Sequence, residues 1–227
     1  MGVRAIITGA SGMVGEGVLH ECLAHPDVEK VLMINRKPLG LKHAKLEEVV
    51  HENFFDLSAI AEKLSGYTAC FFCLGVSSIG MKEEKYQGVT YDLTMNFART
   101  VLDRSPNIIF CYVSGAGTDS TEMSRSMWAR VKGKTENHLL LLGFKDAYMF
   151  RPGFLFPTAG LKNTLPLYKY AVWMYPLLRK IFPKYVSTLQ ELGLAMINVV
   201  TYGYDVSVLE VKDIVKLSNP SVAVASI

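Results

Sequence analysis

The sequence predicts an α/β protein built on one doubly wound parallel sheet, with a small, mainly helical region toward its C-terminal end. Three observations carry that expectation. Short apolar runs alternate with helix-spaced stretches along most of the chain. A glycine-rich turn separates the first apolar run from the first helical stretch. The connections are short, and neither internal repeats nor low-complexity tracts interrupt the alternation.

Taken in order, Val3 to Thr8 is apolar and β-branched and stops at Gly9, the pattern of a buried first strand. Val14, Val18, Leu19, Cys22 and Leu23 share one helical face, and Pro26 closes that helix. Val28 to Asn35 reads as strand two and Asn53 to Leu57 as a short third strand. Ala59 to Leu64 reads as a helix, and Thr68 to Leu74 as a fourth strand ending at Gly75. Tyr86 to Leu102 predicts a long helix, and Asn107 to Ser114 a fifth strand running into Ser-Gly-Ala-Gly. Ser126 to Leu142 is a further helix, and Ala147 to Phe150 a sixth strand broken by Arg151-Pro152-Gly153. Thr188 to Val200 then reads as an amphipathic helix, and Val206 to Ile214 as a closing strand and helix start.

Of the 227 residues, 50% are hydrophobic and 20% charged, the balance of a globular protein with a large core. One domain over 1–227 accommodates that length. A formal net charge of +3 is too small to mark a phosphate-backbone reader, so nucleic acid is not an expected partner. The first residues run directly into a strand and leave no room for a signal peptide, which predicts a cytoplasmic protein. Cys70 and Cys73 form a C-x-x-C. Within a strand, side chains three apart face opposite sides, so these thiols diverge and no metal site or disulfide framework is expected.

The sharpest local signal is Thr8-Gly9-Ala10-Ser11-Gly12-Met13-Val14-Gly15, set between the first strand and the first helix. Gly9 permits the tight turn, Gly12 lets a pyrophosphate approach the backbone, and Gly15 lets the helix pack on the strand. Free amides at the helix N-terminus, with the helix dipole behind them, favour an anion. Thr8, Gly9, Ser11, Gly12, Met13 and Val14 are therefore the expected cradle of a dinucleotide. About twenty residues further on, where a carboxylate would bond the ribose hydroxyls, stand Asn35, Arg36 and Lys37. Arg36 offers a planar fork matched to phosphate oxygens and Lys37 a second positive charge. NADP(H) is expected ahead of NAD(H). In the competing reading Arg36 and Lys37 are only a solvated loop.

In these residues the chain resembles an atypical short-chain dehydrogenase/reductase (SDR) of the NAD(P)-binding Rossmann family. It lies near the NmrA-like and Tat-interacting-protein-like oxidoreductases and the bacterial proteins labelled NAD-dependent epimerase/dehydratase. The likeness covers almost the whole chain. It rests on the glycine loop, Asp56-Leu57, Cys73-Leu74-Gly75, Ser114, Lys132 and Arg151-Pro152-Gly153, in that order. The resemblance implies that Asp56 and Leu57 border the adenine, Cys73, Leu74 and Gly75 the ribose and pyrophosphate, and Pro152, Gly153 and Phe154 the nicotinamide. It also implies catalysis by a Tyr-x-x-x-Lys pair. Here that stretch reads Trp128-Ala129-Arg130-Val131-Lys132, and an indole does not titrate near neutrality. Lys132 is expected to anchor ribose, and Ser114, or alternatively Thr118, to orient a carbonyl. Trp128 is expected to be a packing anchor or pocket wall, and Tyr112 a core residue whose hydroxyl bonds a backbone group. Two functions remain open: an NADP(H)-dependent oxidoreductase or epimerase-like enzyme on a small-molecule substrate, and a nucleotide-binding sensor or partner-binding protein without turnover.

Residues 154–205 are expected to form a lid or substrate-side insertion. Between Gly160 and Gln190 there is no carboxylate, whereas Lys162, Lys169, Arg179, Lys180 and Lys184 are interleaved with Tyr168, Tyr170, Trp173, Tyr175 and Phe182. A lid, a homodimer face and a peripheral membrane contact all suit that pattern, the membrane contact least.

Overall fold

The computed structural model describes residues 2–163 and 175–219. Nine strands are present among them: β1 (Val3–Thr8), β2 (Val28–Asn35), β3 (Leu46–Val50), β4 (Ala69–Phe72), β5 (Ile109–Val113), β6 (Asp146–Arg151), β7 (Phe154–Phe156), β8 (Val186–Thr188) and β9 (Val208–Glu210). Seven of them form one sheet in the order β3-β2-β1-β4-β5-β6-β9, and β7 pairs with β8. Every neighbouring pair is parallel. Helices α1 (Met13–Ala24), α2 (Glu83–Gln87), α3 (Leu93–Arg104), α4 (Met127–Leu140), α5 (Tyr175–Ile181), α6 (Leu189–Tyr202) and α7 (Val211–Leu217) are also described.

The predicted α/β class and its doubly wound sheet are what the chain forms. Runs such as Val-Leu-Met-Ile in β2 are buried on both sides, so they read as continuous apolar segments rather than alternating ones. On one face Val18, Leu19, Met33, Phe71, Leu192 and Met196 share a core with α1, α6 and α7. On the other, Phe72, Phe97, Phe110, Tyr112 and Leu139 pack beneath α3 and α4. Each such large apolar side chain contributes roughly 1.5–3 kcal/mol on burial. The chain proceeds outward from β1 to β3 and then returns to β4, so the strand order reverses between β1 and β4. In open α/β sheets the crevice at that reversal, beyond the carboxyl ends of the strands, is where ligands bind.

Two elements depart from the sequence expectation. The third strand is Leu46–Val50, paired with β2 from Val31↔Leu46 to Asn35↔Val50, whereas Asn53–Leu57 is a turn. Phe54 and Leu57 are buried in that turn and imitate an apolar strand. Glu47 and Glu48 disguise the real one: Glu47 reaches Lys30 at 2.8 Å on the sheet edge, and Glu48 accepts the Leu39 amide. The second departure is the β7–β8 pair, aligned with Leu155 opposite Ser187. The long helix expected from Tyr86 is present, with a π turn at Gly88–Asp92 joining α2 to α3.

Thr188 caps α6, accepting the Glu191 amide while the Glu191 carboxylate accepts the Thr188 amide. Helix α6 lies inside the 154–205 stretch, yet it packs on α1 as part of the layer covering the sheet. Glu16, in the first turn of α1, accepts the backbone amides of Lys162 and Asn163 at 2.8 and 2.7 Å. Tyr168, Lys169, Tyr170 and Trp173 of the basic aromatic segment lie outside the described residues. Among the described residues no helix is long and apolar enough to cross a membrane.

Candidate functional site

The glycine loop crosses the carboxyl end of β1 next to β4. Gly9 has φ of 74°, a region that L side chains rarely adopt, and a Cβ there would lie 2.7 Å from the Cys73 carbonyl oxygen. Gly15 is held tighter: its Cβ would lie 2.2 Å from the Gly9 carbonyl oxygen. Gly12 is different, since a Cβ on it would meet nothing nearer than 3.5 Å. Its open side is where the sequence expects the cradle. Gly12 caps α1 without any side-chain hydrogen bond, which leaves the first amides of the helix, at Met13 and Val14, without helical acceptors. Ser11 is exposed beside them.

Three buried atoms at this place lack a hydrogen-bond partner: Thr8 Oγ1 at the end of β1, and both amide atoms of Asn35 at the end of β2. Thr8 is 0% and Asn35 3% exposed. Leaving such a group unpaired costs about 1–3 kcal/mol. A polar ligand seated on the loop offsets that cost, so the residues present fit a phosphate- and ribose-bearing group.

Beyond β2 and β4 a cavity of about 220 Å³ is lined by Arg36, Glu52, Phe55, Leu74, Gly75 and Val76, among others. Arg36, Leu74 and Gly75, far apart in sequence, thus share one recess. Arg36 and Lys37 are exposed, and among the described residues neither makes an ion pair or a hydrogen bond. Asp56 and Leu57 line a neighbouring cavity of about 370 Å³ with Asn96 and Arg104. The Asp56 carboxylate caps the Ser58 amide, and Ser58 holds it below the usual carboxylate range. Leu57 is buried core. The structure therefore does not bring these two into the Arg36 recess. Phe55, 54% exposed and bordering both cavities, is the residue sequence reasoning missed.

Cys73 packs against one sheet-face core and Cys70 lies in the other, so the two thiols diverge as strand geometry predicts. Burial pushes the Cys73 thiol up to about 12. Among the described residues no cluster of His, Cys, Asp and Glu is arranged to hold a metal ion.

At the end of β5 the chain builds a buried polar cluster. Ser114 Oγ donates to Glu136 Oε1 at 2.5 Å. Arg151 grips the same carboxylate through Nε, at 3.1 and 3.2 Å, and through Nη2 at 2.5 Å. It also donates to Ser120 Oγ and to Glu210. Lys132, one helical turn before Glu136 on α4, donates to the Ser114 carbonyl. Burial lowers the Lys132 ammonium to about 8 against the opposing pull of Glu136. Gly133 seats α4 against the loop after β5, since a Cβ there would strike the Asp119 carbonyl.

The cluster changes what Ser114 and Thr118 can do. Ser114 was expected to orient a carbonyl, yet its proton is engaged by Glu136. Thr118 Oγ1 donates to the Gly115 carbonyl at 2.8 Å. Trp128 packs its ring tip on Gly117, where a Cβ would come within 3.3 Å of it. Tyr112 is 1% exposed, the core position expected of it, and burial pushes its hydroxyl well above the usual range. Pro152 accepts the Ala116 amide, Gly153 packs on the Tyr185 carbonyl, and Phe154 stands 44% exposed beside them. Sequence reasoning passed over Glu136, although its position four residues after Lys132 places both on one face of α4.

No protein-family model matches the chain. Among solved structures it superposes on a UDP-N-acetylglucosamine 4-epimerase from Methanobrevibacter ruminantium, with a TM-score of 0.63, 15% identity, and 92% of this chain and 76% of the other covered. It superposes likewise on the dTDP-glucose 4,6-dehydratase of Streptomyces venezuelae, with a TM-score of 0.65, 13% identity, and 92% and 75% covered. The fold is thus the Rossmann fold of the SDR-type epimerases and dehydratases, as the sequence resemblance implied. In sequence the chain is 29% identical over 158 residues to the protein fmp52-1, mitochondrial, of Aspergillus oryzae. That match takes in 66% of this chain and 64% of the fungal protein, just under two thirds of its length. The FMP52 proteins of Meyerozyma guilliermondii and Emericella nidulans are also similar and are also named mitochondrial. These relatives overturn the cytoplasmic expectation.

Proposed function

We propose that this chain binds a nicotinamide dinucleotide, NADP(H) ahead of NAD(H), and acts as an oxidoreductase or epimerase-like enzyme on a small molecule. The observation that carries this reading is the group of unpartnered buried atoms of Thr8 and Asn35 around an open glycine cradle. In this reading the first amides of α1 take the pyrophosphate and Arg36 with Lys37 take the ribose phosphate. The recess at Phe55, Leu74 and Gly75 takes the adenosine. Lys132 and Pro152 to Phe154 border the nicotinamide. The Streptomyces venezuelae dehydratase, whose structure has NAD bound, lends the reading support from the same fold. When bound, such a cofactor supplies hydride transfer. The Ser114–Glu136–Arg151 cluster fixes the end of β5 against β6 and keeps Lys132 beside it. Calorimetry with NADPH and NADH tests the assignment: tighter binding of NADPH is expected, and binding of neither at millimolar concentration overturns it.

Trp128 favours a second reading, a sensor or partner-binding protein that holds NADP(H) without turnover. A panel of aldehydes, ketones and sugar nucleotides separates the two. NADPH oxidation with any of them supports the enzyme, and tight NADPH binding with uniform inactivity supports the sensor.

A further inference from the structure

Proton donors are scarce where β5 ends. Ser114 Oγ is engaged by Glu136, which Arg151 holds in place, and by the Phe150 carbonyl, so that hydroxyl has no proton to offer a substrate. Thr118 donates within its own loop. The amides of Ser114 and Ala116 donate to Phe150 and Pro152 carbonyls. The Trp128 indole does not release a proton near neutrality. Lys132 differs from all of these: its ammonium carries three protons and bonds the Ser114 carbonyl, which leaves donors to offer.

We propose that Lys132 is itself the general acid of a carbonyl reduction, taking the role that the resemblance gives to a tyrosine four residues earlier, where Trp128 stands. This role rests on the oxidoreductase reading above. The carbonyl carbon gains the hydride that a reduced nicotinamide supplies, and the carbonyl oxygen takes a proton from Lys132 Nζ. The π bond gives way to one C–H and one O–H bond, and the neutral amine recovers a proton from water. The charged group acting on the ammonium is Glu136 on α4, and Glu136 in turn interacts with Arg151 at the end of β6, which also pairs with Glu210 at the end of β9, and with Tyr112 on β5, which Tyr86 influences as well. Burial prevails over the attraction of Glu136, and the resulting value of about 8 suits an acid working near neutral pH.

The test joins calorimetry with NADPH, the pH dependence of NADPH oxidation using benzaldehyde and glyceraldehyde as carbonyl probes, and a ¹³C NMR titration of Lys132. The NMR signal is assigned by its loss in Lys132→Arg. The expected result is a rate constant that falls as pH rises through about 8, coincident with the NMR midpoint. Lys132→Met is expected to lose about 100-fold or more in kcat, and Lys132→Arg to move the fall to higher pH. A Lys132→Met protein that binds NADPH more weakly yet keeps kcat at saturation overturns the acid role and leaves the oxidoreductase reading standing. So does a pH profile unrelated to the NMR midpoint. Absence of NADPH binding, or binding with no turnover of any carbonyl probe, overturns the oxidoreductase reading and this role with it.

Discussion

Arg151 and Glu136 meet 2.5 Å apart with side chains only 10% and 1% exposed. A buried ion pair is weak evidence of net stabilisation, but removing one partner leaves a bare charge in the core. Arg151→Met is therefore expected to cost about 3–5 kcal/mol in urea unfolding. A loss below about 1 kcal/mol means that water already reaches the carboxylate.

Two glycines of the phosphate loop are expected to differ in what their substitution costs. A Cβ at Gly15 meets backbone at 2.2 Å, so Gly15→Ala lowers the melting temperature along with NADPH affinity. A Cβ at Gly12 has nothing nearer than 3.5 Å, so Gly12→Ala keeps the melting temperature and loses affinity alone. Calorimetry beside thermal unfolding reads both, and equal affinity losses with equal stability losses contradict the cradle geometry.

Lys132 also predicts a pH dependence of stability. Its value falls from 10.5 to about 8 on folding, so between those limits the unfolded chain binds more protons and stability rises with pH. The burial cost, on the order of 3 kcal/mol, is present in full below about 8 and lifts toward 10.5. The stability gap between wild type and Lys132→Met should narrow over that window in denaturant titrations. A constant gap contradicts the shift.

Arg36 makes no ion pair among the described residues, so its removal breaks no folded ion pair. Arg36→Ala is expected to weaken NADPH by about 10-fold or more, the worth of a charge-assisted hydrogen bond, and to leave NADH nearly unchanged. Equal losses for both cofactors place the guanidinium away from the ribose phosphate.

Legibility in the sequence followed locality. Strands β1, β2, β4, β5 and β6 were readable because each is an apolar run closed by a nearby breaker, and the glycine loop because its constraints act within eight residues of chain. Strand β3 was not readable, since Glu47 and Glu48 satisfy edge contacts that only the folded sheet supplies. The β7–β8 pair joins two three-residue strands, each too short to signal itself. Ser114, Lys132, Glu136 and Arg151 come from the residue after β5, from α4 and from β6, so the engagement of the Ser114 proton emerged only once those elements were in register. The Asp56 cap was likewise decided by a local turn that the resemblance did not foresee.

The grip of Glu16 on the amides of Lys162 and Asn163 couples two regions that the sequence separates by 146 and 147 positions. The helix that begins at the glycine cradle and the chain leaving β7 are lashed together by one carboxylate. A shift at either end must therefore be felt at the other, or both oxygens of that carboxylate must trade their amides for water.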